Sequence, residues 1–163
     1  MQSKDMSRRT VLRSLAVVGA AAGAGLSLSR PGPATAQALG AQESVEDALK
    51  RLFGSRPLKD GAGVVKLEIP LIAENGAVVP VGVDVTSPMT AANYVKHIYV
   101  VADKNRIPVI TRVSLAPESG QASVATSVRL GETGDVRAIV EQSDGSLLQV
   151  KREVKVTVGG CGG

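Results

Sequence analysis

From Gly63 to Val158 apolar residues recur at every second position, and this alternation is the spacing of strands rather than helices. The strands predicted from it are Val64 to Ile69, Val78 to Val85, Tyr94 to Ala102, Ile107 to Leu115, Ala122 to Leu130, Asp135 to Gln142 and Leu147 to Val158. Turn formers separate them at Asn75-Gly76, Ser87-Pro88, Asp103 to Asn105, Pro117 to Gly120, Gly131 to Gly134 and Ser143 to Gly145. Val79, Val81, Val83 and Val85 share one face of their strand. So do Val150, Val154, Val156 and Val158 in the last, interrupted by Arg152. Seven short strands with no helix between them predict an all-β fold, an antiparallel sandwich of immunoglobulin-like architecture. The Cys-Trp-Cys core of antibody domains is absent, which excludes that subclass and not the sandwich. Pro80 and Pro108 interrupt strand patterns, so they belong at edges, bulges or strand starts.

A different period precedes the strands. Val45, Ala48, Leu49, Leu52 and Phe53 form an apolar stripe at helical spacing, predicting an amphipathic helix over 44–53. Ser44 can cap its start with Asp47 in the capping-box position, and Gly54 can close its end. The stripe suits a sheet face or a partner equally.

Residues 1–38 read as an export signal. Arg8 and Arg9 stand as a pair before an Ala/Gly-rich run from Ser14 to Leu28, and Arg30-Pro31-Gly32-Pro33 ends it. This is the pattern of a twin-arginine signal, with cleavage after Ala36 or, preferred, Ala38. The domain then spans 39–158 and is expected in the periplasm. The alternative of a membrane anchor is disfavoured, because a span needs about 20 strongly apolar residues and this run is short and glycine-rich. The whole formal charge of +4 lies in this segment, where Lys4, Arg8, Arg9, Arg13 and Arg30 face only Asp5. The remaining chain carries 14 basic and 14 acidic residues, so nothing in its charge points to nucleic acid.

The chain ends in VGGCGG, with the single cysteine, Cys161, between Gly159, Gly160, Gly162 and Gly163. A lone thiol cannot close an internal disulfide; in an oxidising compartment it implies intermolecular pairing or a reactive role. Residues 159–163 are expected to form a flexible arm. From Gly159 to Cys161 its reach is roughly 10 Å, at about 3.3 to 3.6 Å per residue. No Lys, Arg or His lies in the arm, and the terminal carboxylate disfavours a second negative charge, so the thiol is expected near or above its ordinary value of about 8.5. That suits an attachment point worked on by other proteins better than a catalyst.

Elsewhere the sequence offers no complete active site. His97, the only histidine, sits in a strand pattern without a second ligand nearby and reads as an ordinary partly buried residue, not a metal site. Glu74, Asp84 and Asp103 are scattered near strand ends. No cofactor motif is present: neither C-x-x-C nor C-x-x-C-H, and no glycine-rich strand-to-helix phosphate loop.

Three stretches carry a family resemblance: VKVTVGGCGG at 154–163, IAENGAVVPVGVDV at 72–85 and VADKNRIPVI at 101–110. Together with the order of signal, short helix and strands, they resemble the SoxY family, sulfur carrier subunits of the periplasmic thiosulfate-oxidising Sox system. Two positions depart from the family's pattern: Arg106-Ile107 in place of a proline after the asparagine, and Thr126 to Gly131 without an arginine after the threonine. The resemblance implies covalent carriage of sulfur intermediates on Cys161, a heterodimer with SoxZ, and transient docking to SoxAX (a c-type haem complex), the hydrolase SoxB and, where present, SoxCD. It implies a carrier, not an enzyme. Two other classes compete with it. A ubiquitin-like carrier would use the terminal Gly-Gly carboxyl, and a structural sandwich would use Cys161 for a homodimer disulfide.

Overall fold

A computed structural model of the chain describes residues 40–160. Both readings of the amino terminus, the Arg8-Arg9 signal and its cleavage at Ala36 or Ala38, lie outside the described residues, as do Cys161, Gly162 and Gly163. Helix α1 (Val45–Phe53) leads into nine strands: β1 (Leu58–Asp60), β2 (Val65–Glu68), β3 (Ile72–Asn75), β4 (Val79–Val85), β5 (Val95–Ala102), β6 (Val109–Ser114), β7 (Ala122–Val128), β8 (Gly134–Gln142) and β9 (Leu147–Val158). One sheet has the order β1-β9-β8-β5-β6, with β3 also paired to β9; the other is β2-β4-β7. This is the all-β sandwich expected from the alternation, with the seven anticipated strands present.

The two additional strands, β1 and β3, both pair with β9 and run parallel to it. Parallel pairs need no tight hairpin, so no turn signal announces them. β1 is three residues long, and in β3 only Ala73 is buried, which leaves too little periodicity to read. The remaining strand pairs are antiparallel. Both prolines fall where a missing N–H does least harm. Pro80 pairs with Ser127 of β7 on one side, and β2 contacts β4 only from Gly82 onward on the other. Pro108 directly precedes β6.

The larger sheet is buried on both faces, which explains why β5 and β8 are apolar in near-continuous runs. Toward the smaller sheet, Val79, Val81, Val83 and Val85 meet Ile98, Val100, Val136, Val140 and Val154 in an aliphatic core. On the opposite face lies α1, which settles where its stripe docks: Val45, Ala48 and Phe53 pack on Tyr99, Val101, Val109, Ile139 and Leu147. Phe53 meets Tyr99 edge-on at 5.0 Å between ring centres. The helix is capped as its sequence dictates. The Asp47 N–H donates to Ser44 Oγ at 3.1 Å, and Gly54, at φ +62°, donates its N–H to the Lys50 carbonyl at 2.8 Å. Among the described residues no helix is long and apolar enough to cross a membrane.

The helix-covered face also holds the buried polar side chains His97 and Glu141. Arg112 Nη2 is hydrogen-bonded to His97 Nε2, and the His97 ring stacks on Tyr99 at 5.9 Å. Glu141 accepts from Arg56 at 2.8 Å and from the Tyr99 hydroxyl at 3.4 Å. Burial, then the Arg112 charge, holds His97 below its ordinary value; Glu141 and Lys96 act on it more weakly and in opposite senses. Burial acts to raise Glu141, but the hydrogen bond and charge of Arg56 outweigh it and set the carboxyl below its ordinary value. Burial raises Tyr99.

This packing makes two expectations measurable. Val83→Ala, at a site with no exposure, is expected to cost about 2 kcal/mol in urea unfolding, whereas Val78→Ala, at 67% exposure, should change stability by less than about 0.5 kcal/mol. For pH, a histidine lowered in the folded state is protonated first in the unfolded chain. Its contribution is therefore lost as pH falls through the unfolded value of about 6.5. Glu141, also lowered, loses its contribution only below the ordinary carboxylate range. Between pH 7.5 and 5 the native chain should thus lose stability relative to His97→Gln, measured by paired denaturant titrations; parallel pH profiles would contradict this.

Candidate functional site

Strand β9 runs out of the sandwich toward Cys161, and its last turn of alternation is not what holds it. Val154 is fully buried and Val156 packs against the core, but Val158 is 61% exposed. The end of the strand is held by hydrogen bonds instead. Thr133 Oγ1 accepts from the Val156 N–H at 2.9 Å. The Gly76 N–H donates to the Val158 carbonyl at 2.7 Å, and the Gly160 N–H donates to the Leu130 carbonyl at 3.0 Å. Leu130 in turn donates its N–H to the Gly76 carbonyl at 2.7 Å, so three backbone segments are tied to one another.

These segments meet at glycines because nothing larger fits. A Cβ on Gly76 would overlap the Leu130 carbonyl oxygen, and one on Gly159 would overlap that of Gly131. On Gly160 it would stand 2.6 Å from the Gly76 carbonyl oxygen. Gly160 is buried, while Gly159 is exposed. The first two glycines of the arm therefore have a packing reason as well as the conformational one read from sequence.

Local sequence shapes the receiving loops. In the β3–β4 turn Asn75 Oδ1 accepts from the Ala77 N–H at 2.9 Å, an Asx turn that presents Gly76. In the β7–β8 connection Asn105 does the holding: its Nδ2 donates to the Arg129 carbonyl at 2.7 Å and its Oδ1 accepts from the Gly131 N–H at 3.0 Å. Asn105, Thr133 and the Leu130 carbonyl were not legible as site residues. Asn-Gly at 75–76 and the glycine at 131 read only as turns; their meeting with the chain end is a fact of tertiary structure.

The end of β9 and the arm root, Val156 to Gly160, are hydrogen-bonded to backbone groups of Gly76 and Leu130 and to the Thr133 hydroxyl. His97 is instead in the helix-covered layer with Arg112. Asp103 holds Arg137, accepting from its Nε at 2.7 Å and also from Nη2, and this bond raises Arg137. Among the described residues no group of three or more His, Cys, Asp or Glu side chains could hold a metal ion.

Comparisons with known proteins agree with this architecture. The family model described as "Sulfur oxidation protein SoxY" matches residues 49–161. Among solved structures, the sulfur carrier protein SoxY from Chlorobium limicola f thiosulfatophilum superposes with a TM-score of 0.59 at 30% identity, over 71% of this chain and 97% of that one. A variant superoxide reductase (neelaredoxin) from Ignicoccus hospitalis gives 0.52 at 22% identity over 57% and 79% of the two chains, a likeness of fold alone. No curated protein matches the chain. With a family match from the second half of the helix through both sheets, and a relative of which nearly the whole length is covered, the chain belongs to the SoxY family of sulfur oxidation proteins.

Proposed function

We propose that this protein is a covalent carrier of sulfur intermediates in thiosulfate oxidation, with Cys161 as the attachment point. The observation that carries the reading is the reach of the family match, which ends at residue 161 and so takes in the only cysteine of the chain. The chemistry suits the residue. A thiolate forms a bond to another sulfur that exchange or hydrolysis can later cleave, so cargo is held covalently yet recoverably. Neighbouring glycines carry no side chain to crowd the thiol, and no Lys, Arg or His stands within residues 159–163. The reactions on the bound sulfur then belong to other proteins, and this chain presents it to them.

On this reading the chain works in the periplasm after twin-arginine export guided by Arg8 and Arg9, paired with SoxZ and visited by SoxAX, SoxB and, where present, SoxCD. Among the described residues, an all-β sandwich with one short α-helix disfavours the ubiquitin-like alternative, and that reading also gives no role to a cysteine placed before the last two glycines.

The test is Cys161→Ser in cells oxidising thiosulfate. Oxidation should fall to background while the purified variant unfolds at the native temperature, and intact mass of the native chain should show adducts on Cys161 that reduction removes. An undiminished oxidation rate in the variant would exclude the carrier role. A native chain bearing only a homodimer disulfide would favour the structural sandwich.

A further inference from the structure

We infer that the root of the arm, Val158 to Gly160, is anchored in a backbone socket made by Gly76, Leu130 and Gly131, and that Asn105 is the positioning residue that keeps the socket in shape. Nothing in the apolar pattern of β9 could do this, because Val158 is largely exposed where an anchoring side chain would be needed. The grip comes from the Leu130 carbonyl, which accepts the Gly160 N–H. That carbonyl is immobilised on three sides. The Leu130 side chain is 2% exposed and pegged in the core, and the Asn105 amide bonds both the preceding peptide group, through the Arg129 carbonyl, and the carbonyl's own peptide group, through the Gly131 N–H. Asn105 is itself only 9% exposed, so its side chain has little freedom to let go. Gly76 completes the socket by donating to Val158 and accepting from Leu130, and the close approach of these segments requires that Gly76, Gly159 and Gly160 carry no Cβ.

The anchor divides the terminal glycines into two kinds. Gly159 and Gly160 are seated, while Gly162 follows the thiol in sequence. Counted from Gly160 rather than Gly159, the backbone reach to Cys161 is one residue, about 3.3 to 3.6 Å. The thiol therefore departs from a fixed point, and a longer excursion requires the Gly160 and Val158 bonds to open, a local event well below global unfolding. This consequence for the thiol deepens the carrier reading and rests on it; the anchoring itself does not.

Amide exchange on the reduced mature chain tests the anchor without any sulfur chemistry. The Gly160 N–H should exchange at least about tenfold more slowly than in a free peptide of the last ten residues, since it is hydrogen-bonded and buried. Asn105→Ala and Gly160→Ala should each bring exchange at residue 160 and at Gly76 close to the unprotected rate and speed alkylation of Cys161 by iodoacetamide severalfold. Gly162→Ala should alter neither readout. Peptide-like exchange at Gly160 in the native chain would overturn the anchor, as would equal loosening by Gly160→Ala and Gly162→Ala. An alkylation rate that stays native in Asn105→Ala, at an unchanged melting temperature, would overturn the positioning role of Asn105. Should Asn105→Ala not fold, native exchange and the glycine pair still decide the anchor. A chain that never carries sulfur adducts would remove the carrier reading and leave these exchange results standing.

Discussion

Strand β9 is the constraint on which the rest of the molecule depends. It pairs with β8 from Leu147 to Val154, with β1 at its start and with β3 at its end. Its side chains also divide between the two cores: Leu147 joins the helix-covered layer, while Leu148, Val150, Val154 and Val156 join the sandwich interior. A twelve-residue strand paired at both ends cannot slide, since a one-residue slip would exchange these two sets and bury Lys151 or Glu153. Val158 to Gly160 thus follow from a strand whose register is fixed, and their place beside Gly76 and Leu130 is set by it.

Burying both faces of the larger sheet has a further effect. β5 and β8 need a second cover, and α1 is short, with nine residues, too few for a stable helix by itself. It exists because its stripe meets Tyr99, Ile139 and Leu147. The polar pairs at that interface, Arg56 with Glu141 and Arg112 with His97, satisfy groups that the sheet would otherwise bury alone. Among the described residues His97 Nδ1 and Arg112 Nε nonetheless find no hydrogen-bond partner, a structural cost at this buried pair.

The sequence was legible wherever one residue type repeats at a fixed period or a turn has its own chemistry. The valines of β4, the capped helix and the prolines all follow local rules, and each stands where those rules place it. β1 and β3 were missed because parallel pairing to a distant strand leaves no local mark, and Ile72 is 60% exposed within β3. Whether α1 covered a sheet or a partner could not be read, because amphipathicity names a face and not what meets it. The same limit applies at the arm. Glycine in sequence signals freedom, yet Gly76 and Gly160 also serve where backbones approach too closely for a side chain, and only the fold brings them together.

On the carrier role proposed for Cys161, the thiol has two opposed needs, since it must reach into the active sites of other proteins and must also be found by each of them. A long free tether improves reach but spreads the thiol over a volume that grows with its length, so its effective concentration at any one docking surface falls. Seating Gly159 and Gly160 keeps that volume small, because the root is set by β9 and by the Asn105-held loop rather than by the arm itself. Reach is then recovered not by length but by opening two backbone hydrogen bonds, each worth only about 0.5 to 1.5 kcal/mol net. A partner that binds near Gly76 and Leu130 and favours the open root would lengthen the tether at the moment of use, and contacts remote from the thiol would thereby control how far it travels.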